Sequence, residues 1–268
     1  MPRDLEADQE MLRTVLALAE RRELARAAAI AEPALASGVE HPLLLNVAAT
    51  RLENEGKFAD ALGLLERAIA LSPTDIGVRN ALCMCLQRLN RPAEALYQID
   101  ELIKAHPELS FAHANRGNAL IALGVLGKAR QSHLRALELD PDNLAAQASL
   151  AAIATHRGEH DEARSWARRV LARVPGYPDA ILSLAAAELA AGATDSAQLQ
   201  IFQVLADPRA GQAEKARANG LLGDVLDAAG RYPEAFDAYA ACNESLRLLH
   251  HRFAEGPGIL SYVDSVIA

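Results

Sequence analysis

The 268 residues are 51% hydrophobic, 4% aromatic and 23% charged, a composition that fits a water-soluble chain long enough for one large domain or an extended array. A formal net charge of -8 argues against a general nucleic-acid binder, which needs a basic face to displace phosphate counterions. No apolar stretch is long enough to span a bilayer, and three cysteines, Cys83, Cys85 and Cys242, are too few and too unevenly placed for a disulfide framework.

Alanine and leucine dominate while Val, Ile and Thr are sparse, which favours helix almost everywhere. The opening MPRDLEADQEMLRTVLALAE has acidic residues where a secretory signal needs a positive end and an apolar run, so a cytoplasmic location is expected. Beyond it the helices follow a repeat. Pro73, Pro107, Pro141 and Pro175 each fall 34 residues after the last, and RAIALSPTD, ELIKAHPEL, RALELDPDN and VLARVPGYP end helical runs in the same way.

Counted back from those prolines, units start at residues 42, 76, 110 and 144. Their eighth place holds Ala49, Cys83, Gly117 and Ala151, and their twentieth Ala61, Ala95, Ala129 and Ala163. Small residues at two fixed places let two helices cross closely. The fifteenth place, Gly56, Asn90, Gly124 and Gly158, suits the left-handed turn that ends one helix and admits the next. Each unit therefore reads as helix, tight turn and second helix, closed by proline.

Weaker copies flank these four. Residues 8–41 carry Ala27 at the twentieth place, Arg22 at the turn and Pro33 inside the second helix, where a kink or early break is expected. Residues 178–211 carry Ala185, Gly192 and Ala197, with Pro208 one place early. After a short insertion, the unit from 216 carries Gly223, Gly230, Tyr232, Ala235 and Tyr239. Its second helix finds no stop after Pro233 until Gly256, and Cys242, Leu246, Leu249 and Phe253 extend its apolar stripe.

The pattern resembles the tetratricopeptide repeat family, and SFAHANRGNALIALGVLGKARQSHLRALELDPDN matches it best. That unit has His113, Leu120 and His133 at the fourth, eleventh and twenty-fourth places, where the family usually has aromatics. The resemblance implies an all-α, right-handed α-solenoid of about seven helix-turn-helix units over residues 1–253, near 8–41, 42–75, 76–109, 110–143, 144–177, 178–211 and 216–249. A short C-terminal helix over 254–268 would cap the array or lead into a further domain.

The fifth, ninth and twelfth places of each first helix share a stripe offset from the packing stripe. By resemblance to the family, that stripe lines a groove for a protein or extended peptide. Mid-array it is polar, with Asn46, Thr50 and Glu53, then Asn80 and Gln87, then Asn118, and with Asn54, Arg88 and Asn115 beside it. Side-chain amides both donate and accept, so such a row can hold a peptide backbone with little regard to sequence. No lysine lies on the stripe, which argues against the grip on a carboxylate-ended chaperone tail found in some members.

Other patterns point away from chemistry. His156 and His160 have helical metal-pair spacing, but Gly158 at the turn between them argues against a shared face and a metal site. Cys83 and Cys85 read as buried structural thiols. Arg164, Arg168, Arg169 and Arg173 form a basic stripe on a second helix, which the resemblance implies faces outward, read as a solvated face ahead of a site for an acidic partner or neighbouring domain. No phosphate loop, nucleophile motif or Ser/His/Asp set is visible, so no enzyme activity and no cofactor are expected.

One segment, LGDVLDAAGRYPEAFDAYAACNESLRLLHHRF, is similar to the junction where such repeats precede a sulfotransferase domain in bacterial proteins, which implies a docking or regulatory role in a larger enzyme. The final GILSYVDSVIA is apolar and periodic, unlike the polar ending of a free array. Self-association through the C-terminal helix is the remaining expectation.

Overall fold

A computed structural model describes residues 5–251, with side chains over 6–248. The described residues form fourteen α-helices and no strand, in two compact units that divide between Asn143 and Leu144, a border of the 34-residue frame. The first unit holds α1 (Leu5–Glu20), α2 (Leu24–Ala36), α3 (Pro42–Asn54), α4 (Phe58–Leu71), α5 (Ile76–Arg88), α6 (Pro92–Ala105), α7 (Ser110–Ala122) and α8 (Leu126–Leu139). The second holds α9 (Leu144–His156), α10 (His160–Arg173), α11 (Pro178–Ala190), α12 (Thr194–Ala206), α13 (Gln212–Ala228) and α14 (Tyr232–His251). Within each unit, odd helices pack on the even helix that follows and on the next odd helix, the α-solenoid arrangement. No described helix is long and apolar enough to cross a membrane.

The turns explain the pairing. Gly56, Gly124, Gly158, Gly192 and Gly230 take φ of 72 to 77°. Each donates its N–H to the carbonyl three residues back, and the following residue donates to the carbonyl five back, as in Gly56 to Glu53 at 2.9 Å and Lys57 to Leu52 at 2.9 Å. Two of the carbonyls left open at a helix end are thereby satisfied while the chain reverses. Arg22 and Asn90 make the same turn with φ of 60° and 55°, despite carrying a Cβ. That conformation costs an ordinary L-residue about 1–2 kcal/mol, and Asn suffers least. Arg22→Gly is therefore expected to raise stability by about 0.5–1 kcal/mol, and Asn90→Gly by less, read as shifts in urea midpoint.

The small residues lie where the helices cross. Ala49, Cys83, Ala151 and Ala185 at the eighth place are fully buried, as are Ala27, Ala61, Ala95, Ala129, Ala163 and Ala197 at the twentieth. Leu65, Ile99, Val170 and Ile201 fill the space beside them. Gly117 and Gly223 go further, because the ring of the following helix rests on each: His133 on Gly117 and Tyr239 on Gly223.

Two boundaries differ from the sequence reading. Pro33 does not break α2, which runs three residues further to Ala36 and keeps the usual length. It sits in the last turn, so it deprives only one carbonyl of its donor. In place of an insertion before residue 216, α13 starts at Gln212 and absorbs those residues as an extra turn. As expected, α14 runs on after Pro233, through 20 residues. Tyr232 and Phe236 on it are largely exposed, Leu246 is partly so, and Cys242 rests against Gly220. The side chains of Leu249 and Phe253, and the segment 254–268, lie outside the described residues.

Candidate functional site

In the first unit the odd helices α3, α5 and α7 lie side by side and bring the amide row together. Its centre is a pair. Asn115 Nδ2 on α7 donates to Asn80 Oδ1 on α5 at 2.8 Å, and Gln87 Nε2 donates to the Asn115 carbonyl at 3.3 Å. The pairing uses one donor of Asn115 and one acceptor position of Asn80. It leaves the Asn80 amide N–H groups, whose one sulfur contact is Met84 Sδ at 3.7 Å, and the Asn115 amide oxygen. One donor and one acceptor held side by side match the N–H and C=O of a peptide group.

The rest of the row differs from the simple pattern. Thr50 Oγ1 donates to the Asn46 carbonyl at 2.9 Å, so its hydroxyl hydrogen is spent on its own helix. The Asn46 amide oxygen is buried with no hydrogen-bond partner, below the reach of a ligand. Asn54 and Arg88 are exposed at the ends of α3 and α5, and Asn118 is half-buried on α7. The accessible polar core is thus Asn80, Asn115 and Gln87, with Asn54, Arg88 and Asn118 around it. Met84 at the ninth place of α5 stands 48% exposed in the middle of the row, an apolar member that attention to amides alone passes over.

Below the row lie groups that titrate outside the ordinary range. Burial pushes the half-buried Glu53 carboxyl up, opposed by the Cys85 thiol and the Arg88 guanidinium. The Cys85 thiol is pushed up to about 12, first by burial and then by Glu53, and Cys83 likewise by burial. Both thiols are fully buried, and Cys85 donates to the Phe58 carbonyl at 3.3 Å, so they are packing groups and not nucleophiles.

The second unit carries its own feature on the equivalent face. Among α9, α11 and α13 a pocket of about 250 Å³ opens on this face, lined by Ala152, Leu182, Ala186 and Leu221, with His156, Asp179, Arg217 and Asp224 among the polar residues around it. Asp179 and Arg217 are ion-paired, and Asp224 accepts a hydrogen bond from the Tyr239 hydroxyl at 2.8 Å. That bond, followed by burial and the charges of Asp224 and Asp227, pushes Tyr239 up to about 12. Sequence reasoning missed this cavity; the signal was Ala148, Ala152, Leu182 and Ala186 at the fifth and ninth places of α9 and α11.

Other residues singled out from the sequence are dispersed. His156 closes α9, where it lines the pocket of the second unit, and His160 opens α10, so they share no helix, and among the described residues no group of three or more His, Cys, Asp or Glu could hold a metal. The arginine row is not a uniformly solvated face. Arg164 pairs with Asp161 and donates to the Ala187 carbonyl at 3.0 Å, and Arg169 lies 4.8 Å over the Trp166 ring.

Residues 54–116 and 114–178 match family profiles described as tetratricopeptide repeat. The inactive TPR repeat-containing thioredoxin TTL3 of Arabidopsis thaliana is 30% identical over 97 residues, which are 36% of this chain and 14% of that protein. The Hsp70-Hsp90 organizing protein of Triticum aestivum is 28% identical over 96 residues, 36% of this chain and 16% of that protein. The chain thus spans less than a fifth of either curated relative. A solved tetratricopeptide repeat protein from Parabacteroides merdae superposes with a TM-score of 0.66 at 20% identity, over 90% of this chain and 98% of that one, a likeness in fold.

Proposed function

We propose that this chain, built of tetratricopeptide repeats, is a non-catalytic scaffold that holds an extended peptide of a partner protein on the first-helix face of its first unit. The repeats are of the kind that mediates protein or peptide binding. The observation that carries the reading is the Asn115–Asn80 bond at 2.8 Å, which fixes two amides with a donor and an acceptor left over. An amide already held by its neighbour loses little side-chain entropy on binding, and so retains more of each hydrogen bond it makes to a ligand. Gln87, Asn118, Asn54 and Arg88 extend the row, with Met84 as its apolar contact.

A displayed library of random twelve-residue peptides selected on the full chain supplies the probe. Asn80→Ala combined with Asn115→Ala should weaken the selected peptides about 10-fold or more, at about 0.5–1.5 kcal/mol per lost hydrogen bond. Calorimetry giving equal affinity for the double variant and the unaltered chain would sink the assignment. Arg168→Ala on α10, in the second unit, serves as the control.

A second reading rests on α14, whose Tyr232 and Phe236 are 66% and 72% exposed. Aromatics that far out of a helix invite cover by another surface, and self-association through this helix is one way to supply it. Mass in solution checks it: a monomer throughout a concentration series counts against self-association. The alternative of a docking region ahead of a sulfotransferase domain draws no support from the relatives named above.

A further inference from the structure

The cavity on the second unit differs in chemistry from the amide row. Its floor comes from the fifth and ninth places, Leu182 and Ala186 on α11 and Ala152 on α9, with Leu221 on α13. The hydroxyls beside it face inward: Thr155 Oγ1 donates to the Ala151 carbonyl at 2.9 Å and Ser183 Oγ to the Asp179 carbonyl at 2.8 Å. Those bonds spend both hydroxyl hydrogens on the helices themselves, so these two side chains add carbon more than hydrogen-bonding capacity. About 250 Å³ is below the roughly 300–1,000 Å³ of small-molecule sites and suits a single side chain.

Charge orients the occupant. Near the start of α11 and α13 the ion pair of Asp179 with Arg217 is neutral as a unit. Further along α13, Asp224 and Asp227 lie one turn apart, and neither has an ion-pair partner among the described residues. The Tyr239 hydroxyl occupies only one Asp224 oxygen, Oδ1. The pocket therefore has an apolar floor and a polar rim, to which α9 adds His156 and α13 the carboxylate of Asp224.

We propose that the first-helix face of the second unit is a docking site for a partner chain, with the cavity taking one large aliphatic or aromatic side chain and Asp224 with Asp227 taking an adjacent lysine or arginine. The site extends the peptide-binding reading but uses none of the amides of α5 and α7. It supplies sequence preference, which a row of amides reading backbone lacks.

The test uses the full chain with labelled leucine and alanine methyl groups and three probes: N-acetyl-Leu-Lys-amide, N-acetyl-Ala-Lys-amide and N-acetyl-Leu-Glu-amide. Saturable methyl shifts at Leu182 and Leu221 are expected with Leu-Lys in the millimolar range, at least about five-fold weaker with each of the others. Ala186→Met fills the cavity and should abolish the shifts. Asp224→Asn, a milder change at the rim, should remove the preference for Leu-Lys over Leu-Glu while leaving the fold's melting curve in place. Absence of saturation, equal binding of all three probes, or the same shifts on raising protein concentration without probe would overturn the proposal; the last would assign the cavity to a second copy. The Asn80→Ala and Asn115→Ala pair should leave dipeptide binding unchanged, so failure of the amide row and failure of this site are separable.

Discussion

Gly117→Ala is expected to destabilise the first unit by about 1–3 kcal/mol, although alanine is the better helix former by about 1 kcal/mol. A Cβ on Gly117 would stand 2.6 Å from both Cδ2 and Cε1 of His133, a ring with no exposed surface. The comparison is Gly223→Ala, where the Cβ would approach Tyr239 as closely, at 2.5 Å from Cδ1. Tyr239 is 37% exposed and can swing towards solvent, so that substitution should cost less. Urea unfolding of both variants checks the order. Adding His133→Ala to Gly117→Ala should recover part of the loss relative to the sum of the single changes, because the removed ring makes room for the methyl.

Acid is the second large effect, through the same ring. His133 is fully buried, neither ring nitrogen has a hydrogen-bond partner, and burial alone lowers its pKa from 6.5 to about 4. The unfolded chain takes up the proton near the ordinary value, so the folded state has its full advantage above about pH 6.5. That advantage falls as pH drops from about 6.5 through about 4 and levels off below, a loss of about 3 kcal/mol at the acid end. His133→Phe places the family's usual aromatic there and removes the titrating group. The unfolding free energy of this variant minus that of the chain should rise from pH 7.5 to pH 4.5. A constant difference would mean that the ring is not held neutral by burial.

His133 also marks where reading the sequence stops. At the twenty-fourth place it is a departure from the family's aromatics, and pattern alone gives it no consequence beyond altered packing. Its acid sensitivity follows from complete burial without a partner, which depends on how closely α7 and α8 approach. That approach is in turn set by Gly117, which the 34-residue frame does place.

The row of amides divides in the same way. Counting residues per turn puts Asn80, Gln87 and Asn118 on one stripe with Asn115 beside it, and between the neighbouring odd helices it is Asn115 that bonds to Asn80. Counting could not tell that Thr50 turns its hydroxyl to its own backbone, that the Asn46 oxygen lies buried, or that Met84 stands exposed between Asn80 and Gln87. Pro33 in α2 shows the opposite error, a local rule applied too strongly, since a helix in its last turn tolerates the missing donor.

By itself the sequence determined the helices, their turns and the small residues at their crossings. These depend on contacts within one 34-residue unit and its neighbour, and such a repeat is stabilised by nearest-neighbour terms. Tertiary structure alone decided which polar groups meet, which are spent on their own helix, and where a cavity opens among α9, α11 and α13. Those outcomes rest on rotamers and on the spacing of helices whose facing residues are about one repeat apart, as Asn80 and Asn115 are, and residue type does not fix that spacing.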